Sequence, residues 1–241
     1  MRANVPSISS KPQLRQATRW LAFAGVIGPI FFVVVFTIAG FLRPGYSPVR
    51  RSISTLGTGP NAWLADADAF IFAALLLAFA VAFFLGMRPA ITRGWLAACL
   101  VCFILASIGV FNAAIFPAAT GTARLHWIIG FLPAFLAPVA AYIIAGVQWM
   151  RAPGWRGYGW YSLATALGSV VLILVSFALL APRAASGGPA TPIGGLVERV
   201  LVLVTFAWPV VIGWRLFALA GPQTPAGAQH TQPHAPEQAH A

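Results

Sequence analysis

Apolar residues come in six long runs, 20–42, 62–87, 95–116, 127–150, 160–180 and 200–219, separated by short polar or proline-rich breaks. Each run has about 20 residues or more, the length a helix needs to cross roughly 30 Å of hydrocarbon. In lipid every backbone N–H and C=O must be paired within the segment or with a neighbour, so runs of this kind are helices and not isolated strands. The pattern predicts an all-α bundle of six transmembrane helices. Trp20, Trp63, Trp95, Trp127 and Trp160 stand at or near the start of five runs, as expected of side chains lodged at the headgroup level. Pro29, Pro133, Pro138 and Pro209 fall inside runs, where side chains of neighbouring helices are expected to take up the carbonyls they free. Ala164 and Gly168, four residues apart, suit close helix packing in the fifth run.

Composition supports this reading. Of 241 residues, 59% are apolar and 8% are charged, against about 25% charged in an ordinary soluble domain. The net charge of +11 does not indicate a nucleic-acid partner, because the arginines are dispersed at the ends of apolar runs and not gathered on one face. Cys99 and Cys102 form a C-x-x-C, but inside the third run, where hydrocarbon disfavours thiolates. They read as two small apolar residues, and neither a metal nor a cofactor is expected.

Basic residues set the expected orientation. With the N-terminus cytoplasmic, Arg2, Lys11, Arg15, Arg19, Arg88, Arg93, Arg151, Arg156 and Arg215 lie inside, and Arg43, Arg50, Arg51, Arg124, Arg183 and Arg199 lie outside. The expected arrangement is therefore a cell-membrane protein with both termini cytoplasmic: a basic tail over 1–19, a membrane domain over 20–219, and a disordered tail over 220–241. The histidines of that last tail, His230, His234 and His240, read as solvated residues. Apart from Glu237 in the tail, the acidic residues are Asp66, Asp68 and Glu198, all at expected outer helix ends.

The first outer loop holds the densest pattern. Ser47 followed by Pro48 is a helix start and Gly57 a possible stop. Val49, Ile53 and Leu56 recur at i, i+4 and i+7, with Arg50, Arg51, Ser54 and Thr55 on the other side. This predicts a short interfacial helix with its apolar side on the bundle. Its arginines and serine could meet a phosphate-bearing headgroup, or could simply anchor a capped connector.

These residues and their flanks resemble a known family of bacterial and archaeal multi-pass proteins, the domain-of-unknown-function 998 family. The resemblance rests on G-V-I-G-P-I-F (25–31), P-G-Y-S-P (44–48), I-S-T-L-G (53–57), F-P (116–117) and L-H (125–126). It implies six helices and a membrane location, and no established activity. It also implies an acidic residue at position 55 and another just after F-P, where this chain has Thr55, Ala118 and Ala119.

Ionisable residues near membrane depth are functional candidates. Asp66 and Asp68, two residues apart on a helix, point about 200° from one another and cannot share a face. One is expected to face the bundle and the other to reach the outer headgroups, with at least one of them in a salt bridge to Arg50, Arg51, Arg124 or Arg199. Asn112, His126, Glu198 and Arg199 are expected at similar depth. The favoured reading is a non-enzymatic protein whose outer polar face binds a lipid headgroup, a small ligand or a membrane partner, through Arg50, Arg51, Ser54, Asp66, Asp68, Asn112, His126, Glu198 and Arg199. A transporter is the first alternative, although few polar residues continue across the midplane. The second is an outer-leaflet lipid-modifying enzyme or hydrolase, with Ser54 as nucleophile and His126 as base. His126 alone is expected to bond a loop carbonyl.

Overall fold

The computed structural model describes residues 12–118, 121–186 and 191–221, and the backbone alone over 180–186. The tails with His230, His234 and His240, and Ala119, lie outside the described residues. Six helices account for most of the rest: α1 (Pro12–Leu42), α2 (Ala62–Gly86), α3 (Arg93–Ile115), α4 (Ala123–Met150), α5 (Arg156–Ser186) and α6 (Gly194–Leu219). There is no strand among the described residues. All six are long and apolar enough to cross a membrane, and the chain is a multi-pass membrane protein. Several helices outrun their apolar stretch. A helix ends where turn chemistry ends it, not where hydrocarbon does, so α1 carries Arg15 and Arg19, and α6 takes Glu198 and Arg199 into its first turns.

Each helix packs on the next in sequence, and α6 returns to α1, closing a ring. The first and last described residues lie at one end of it, where an Arg15 guanidinium nitrogen donates to the Gly221 carbonyl at 2.5 Å. The lipid-facing outside is apolar, with Ile38, Leu105, Leu174 and Trp214 exposed. Inside, toward the chain termini, the ring is filled by rings. Trp208 stacks on Tyr142 at 4.4 Å between centroids and lies within about 6 Å of Phe83, Phe103 and Trp149. Trp208, Tyr142, Phe83, Phe103 and Trp149 are fully buried.

Two of the four prolines, Pro209 and Pro133, are accommodated as the pattern requires. Pro209 has no N–H for the Thr205 carbonyl four residues back, and the Tyr142 hydroxyl donates to that oxygen at 2.9 Å. Asn112 Nδ2 donates to the Ile129 carbonyl at 3.2 Å, four residues before Pro133. The same stretch of α4, His126–Phe131, is a π turn, the kind of local widening that often accompanies a function.

Three expectations are corrected. Trp20, Trp63, Trp95 and Trp160 are at least half exposed, but Trp127 is 8% exposed and packs on Phe131 and Phe177. It belongs to the core because α4 begins before it and turns it inward. Ala164 is exposed, and a Cβ on Gly168 would meet only an ordinary 3.7 Å contact. The close approach is made by Gly159 and Gly146, where a Cβ on Gly159 would stand 3.0 Å from the Gly146 carbonyl oxygen. The first loop holds a short helix, but it is a 3-10 helix of five residues, Ile53–Gly57. Cys99 and Cys102 are free thiols, and Cys99 is buried with Sγ 3.8 Å from the Ala141 carbonyl.

The proline arrangement is testable by a double-mutant cycle. Tyr142→Phe should cost ~0.6–1.7 kcal/mol of stability. In a Pro209→Ala background it should cost less than half as much, because the new N–H takes over the Thr205 carbonyl. Thermal unfolding of the four variants checks this, and equal costs in both backgrounds would contradict it.

Candidate functional site

At the other end of the ring the first loop folds inward. Ser47 O accepts the N–H groups of Arg50 and Arg51, closing a turn. Ser52 is extended, and the 3-10 helix follows. A continuous helix from Ser47 would need the carbonyls of Pro48, Val49 and Arg51 for itself. They are committed to α6 instead: Val49 O accepts Leu196 N–H at 3.0 Å, and Pro48 O and Arg51 O accept Arg199 Nη1 at 2.7 and 3.2 Å. The predicted longer helix is broken for that reason. Ile53 and Leu56 are buried as expected, while Val49 is exposed.

Gly195 allows this contact. A Cβ there would collide with the Arg51 carbonyl oxygen and stand 2.6 Å from that of Pro48. Arg199 also donates to Gly195 O (2.9 Å) and to the Tyr46 hydroxyl (2.6 Å), and its guanidinium lies over the Phe36 and Tyr46 rings. Tyr46 donates in turn to Ser52 O at 3.0 Å. Burial raises the Tyr46 phenol above its ordinary value of 10.0, outweighing the opposing pull of Arg199, so it remains a donor. An Arg43 guanidinium nitrogen holds the Thr55 carbonyl.

Beneath the loop, the buried Glu198 carboxylate accepts the Ile53 backbone N–H at 2.5 Å on Oε2 and the Ser54 hydroxyl at 3.4 Å on Oε1. These bonds draw the 3-10 helix over a cavity of ≈ 100 Å³. Its polar wall is Ser54, Asp66, His126 and Glu198. The apolar walls include Phe32 and Phe206 of α1 and α6, Phe72 of α2, and Phe131 and Phe135 of α4. Asp66 reaches the roof: a Cβ on Gly57 would lie 3.1 Å from Asp66 Oδ1. His126 opens the π turn and is buried. Its Nδ1 is 2.8 Å from Phe116 O and 3.2 Å from Ala113 O. Both partners only accept, so Nδ1 carries the proton and Nε2 of the neutral ring keeps its lone pair.

Of the nine residues singled out from the sequence, four (Ser54, Asp66, His126 and Glu198) share this cavity. Arg199 is the clasp of the loop and does not line it. Arg50 and Arg51 have exposed side chains, and what Arg51 gives the site is its carbonyl. Asn112 supports the proline-interrupted α4. Asp68 is 1% exposed, away from the cavity, and both its oxygens lack a hydrogen-bond partner among the described residues. The anticipated salt bridges of the aspartates are absent among the described residues. Asp66 and Asp68 do point different ways, as their spacing requires.

Tyr46, Arg43 and the phenylalanine walls were missed. Tyr46 sits in the quoted P-G-Y-S-P, where an aromatic beside a turn was a usable sign. The phenylalanines carried none, since a ring facing lipid and one facing a cavity read alike in an apolar run. No cluster of three or more His, Cys, Asp or Glu able to hold a metal occurs among the described residues.

The model of one protein family, described as protein of unknown function (DUF998), matches residues 26–215, and the chain belongs to that family. Neither a curated protein nor a solved structure matches the chain.

Proposed function

We propose that this DUF998 protein binds a small amphiphilic molecule in the cavity under its first loop and carries out no reaction on it. The observation behind this reading is a cavity with a polar roof and aromatic walls, made from five of the six helices and roofed by a loop whose Ile53 N–H and Ser54 hydroxyl donate to Glu198. Mostly apolar cavities with a few convergent polar groups are the usual form of small-molecule sites.

Two other readings are less well supported. A transporter needs a polar path to the far side, but below Phe206 the interior is packed with Trp208, Tyr142, Phe103, Phe83 and Trp149. The inner hydroxyls serve packing: Ser169 accepts from Thr205 at 2.9 Å and Ser162 from Trp208 Nε1 at 2.8 Å. A hydrolase needs Ser54 to be activated by His126. Ser54 donates to Glu198, while His126 is oriented by two backbone carbonyls.

The cavity end is assigned to the outer face and the termini to the cytoplasm. Among the described residues, Arg15, Arg19, Arg88, Arg93, Arg151, Arg156 and Arg215 crowd the terminal end without a carboxylate, whereas Asp66, Asp68 and Glu198 all lie at the cavity end. The basic excess marks the cytoplasmic side.

Isobutanol is a suitable neutral probe of the cavity. Saturation-transfer NMR on protein in nanodiscs should detect isobutanol on the wild type and lose it in Ala69→Leu, which fills the cavity from α2 and leaves the melting temperature equal or higher. Equal signals from the two proteins would remove the ligand site. For orientation, Arg51→Cys should react with a membrane-impermeant maleimide on intact cells and Arg151→Cys should not, in a background with Cys99 and Cys102 replaced by alanine. The reverse pattern would invert the assignment.

A further inference from the structure

We infer that the cavity is built for a small organic ammonium ion, a deduction that rests on the cavity being a ligand site. Its four polar side chains offer acceptors and almost no free donor. Asp66 and Glu198 bring two carboxyl groups, with Oε1 of Glu198 held only by the long 3.4 Å bond from Ser54. The Ser54 hydroxyl proton is already committed to Glu198, so the oxygen has lone pairs to give. His126 commits its N–H to Phe116 and Ala113, which leaves Nε2 as an acceptor.

Among the described residues no arginine or lysine lines the cavity. The Arg199 guanidinium follows Glu198 in the chain, but it bonds to Pro48, Arg51, Gly195 and Tyr46 and does not line the cavity. The remaining walls carry five phenylalanine rings, whose faces present negative potential. An anion would meet carboxylates and ring faces with nothing to donate to it. A bare inorganic cation would find ligands on one side only. An ammonium group with an apolar body satisfies both halves: its N–H donors meet the acceptors under the loop, and its hydrocarbon meets the rings. In the sequence Arg50, Arg51 and Ser54 pointed to a phosphate, but the two arginine side chains are exposed and do not line the cavity.

Size limits the ligand further. A cavity of ~150 Å³ holds benzene, so ≈ 100 Å³ suits an apolar body of about four or five heavy atoms. The ammonium could belong to a free amine or to an ethanolamine headgroup, and both share this chemistry.

Isobutylammonium, isobutanol and isobutyrate are near-isosteres of positive, neutral and negative charge. Titrated against the full protein in phosphatidylglycerol nanodiscs, with Ala69→Leu as the blocked control, they should bind in that order. The ammonium should bind about tenfold or more tightly than the alcohol, and isobutyrate should not bind detectably. Asp66→Asn should remove most of the ammonium preference and leave isobutanol binding within about twofold. Failure of all three probes would overturn the ligand reading itself. Isobutanol binding as well as or better than isobutylammonium, or an ammonium preference unchanged by Asp66→Asn, would overturn the cation inference alone. Adding phosphatidylethanolamine to the nanodiscs separates the sources: competition with isobutylammonium assigns the site to a headgroup, and unchanged binding assigns it to a free amine.

Discussion

A carboxylate at the edge of hydrocarbon must be given donors or it cannot be kept there. Glu198 meets this demand by taking the Ile53 N–H and the Ser54 hydroxyl from a loop more than 140 residues earlier in the chain. Much else at that end follows. The loop backbone must come down onto α6, so position 195 must be glycine. The loop carbonyls turned toward α6 need donors of their own, and Arg199 supplies them from Nη1 while its Nη2 donates to the Tyr46 hydroxyl. Because these bonds hold the loop over a gap between helix ends, the gap becomes a cavity with a polar ceiling.

The two ends of the ring carry opposite polar chemistry. Toward the termini, the described residues include seven arginines and no carboxylate, Arg15, Arg19, Arg88, Arg93, Arg151, Arg156 and Arg215, and aromatic rings fill the interior. Toward the first loop, Asp66 and Glu198 line a cavity in the interior. A bundle sealed on one side and hollow on the other suits capture better than passage. Asp68 stands apart from this economy. It is buried and unpartnered among the described residues, and neither the loop nor the cavity explains it.

The sequence was most legible where one physical constraint acts alone. Bilayer thickness fixes the length of an apolar run, and so the six helices are visible without further argument. Of the residues that carry the family resemblance, Tyr46, Ile53–Gly57, Phe116 and His126 build the roof and the histidine support of one site, whereas 25–31 lie elsewhere in α1. Legibility ends where partners lie far apart in the chain. Local spacing around Ser47 favours a longer helix, and only α6 breaks it by claiming three carbonyls. Asn112 looks like a ligand-binding amide until Pro133 on another helix leaves a carbonyl for it. Trp127 resembles its four interfacial counterparts, yet the π turn of α4 carries it inward. In a nearly uniform apolar helix no periodicity separates a wall residue such as Phe135 from a lipid-facing one such as Leu136.

Amide hydrogen exchange at Ile53 tests the Glu198 clasp most directly. With the carboxylate accepting that N–H, the wild-type amide should exchange slowly, like the helical amides of α6. In Glu198→Ala it should exchange at rates typical of an open loop while α2 and α6 stay protected. Fast exchange at Ile53 in the wild type, or protection unchanged in the variant, would contradict the account.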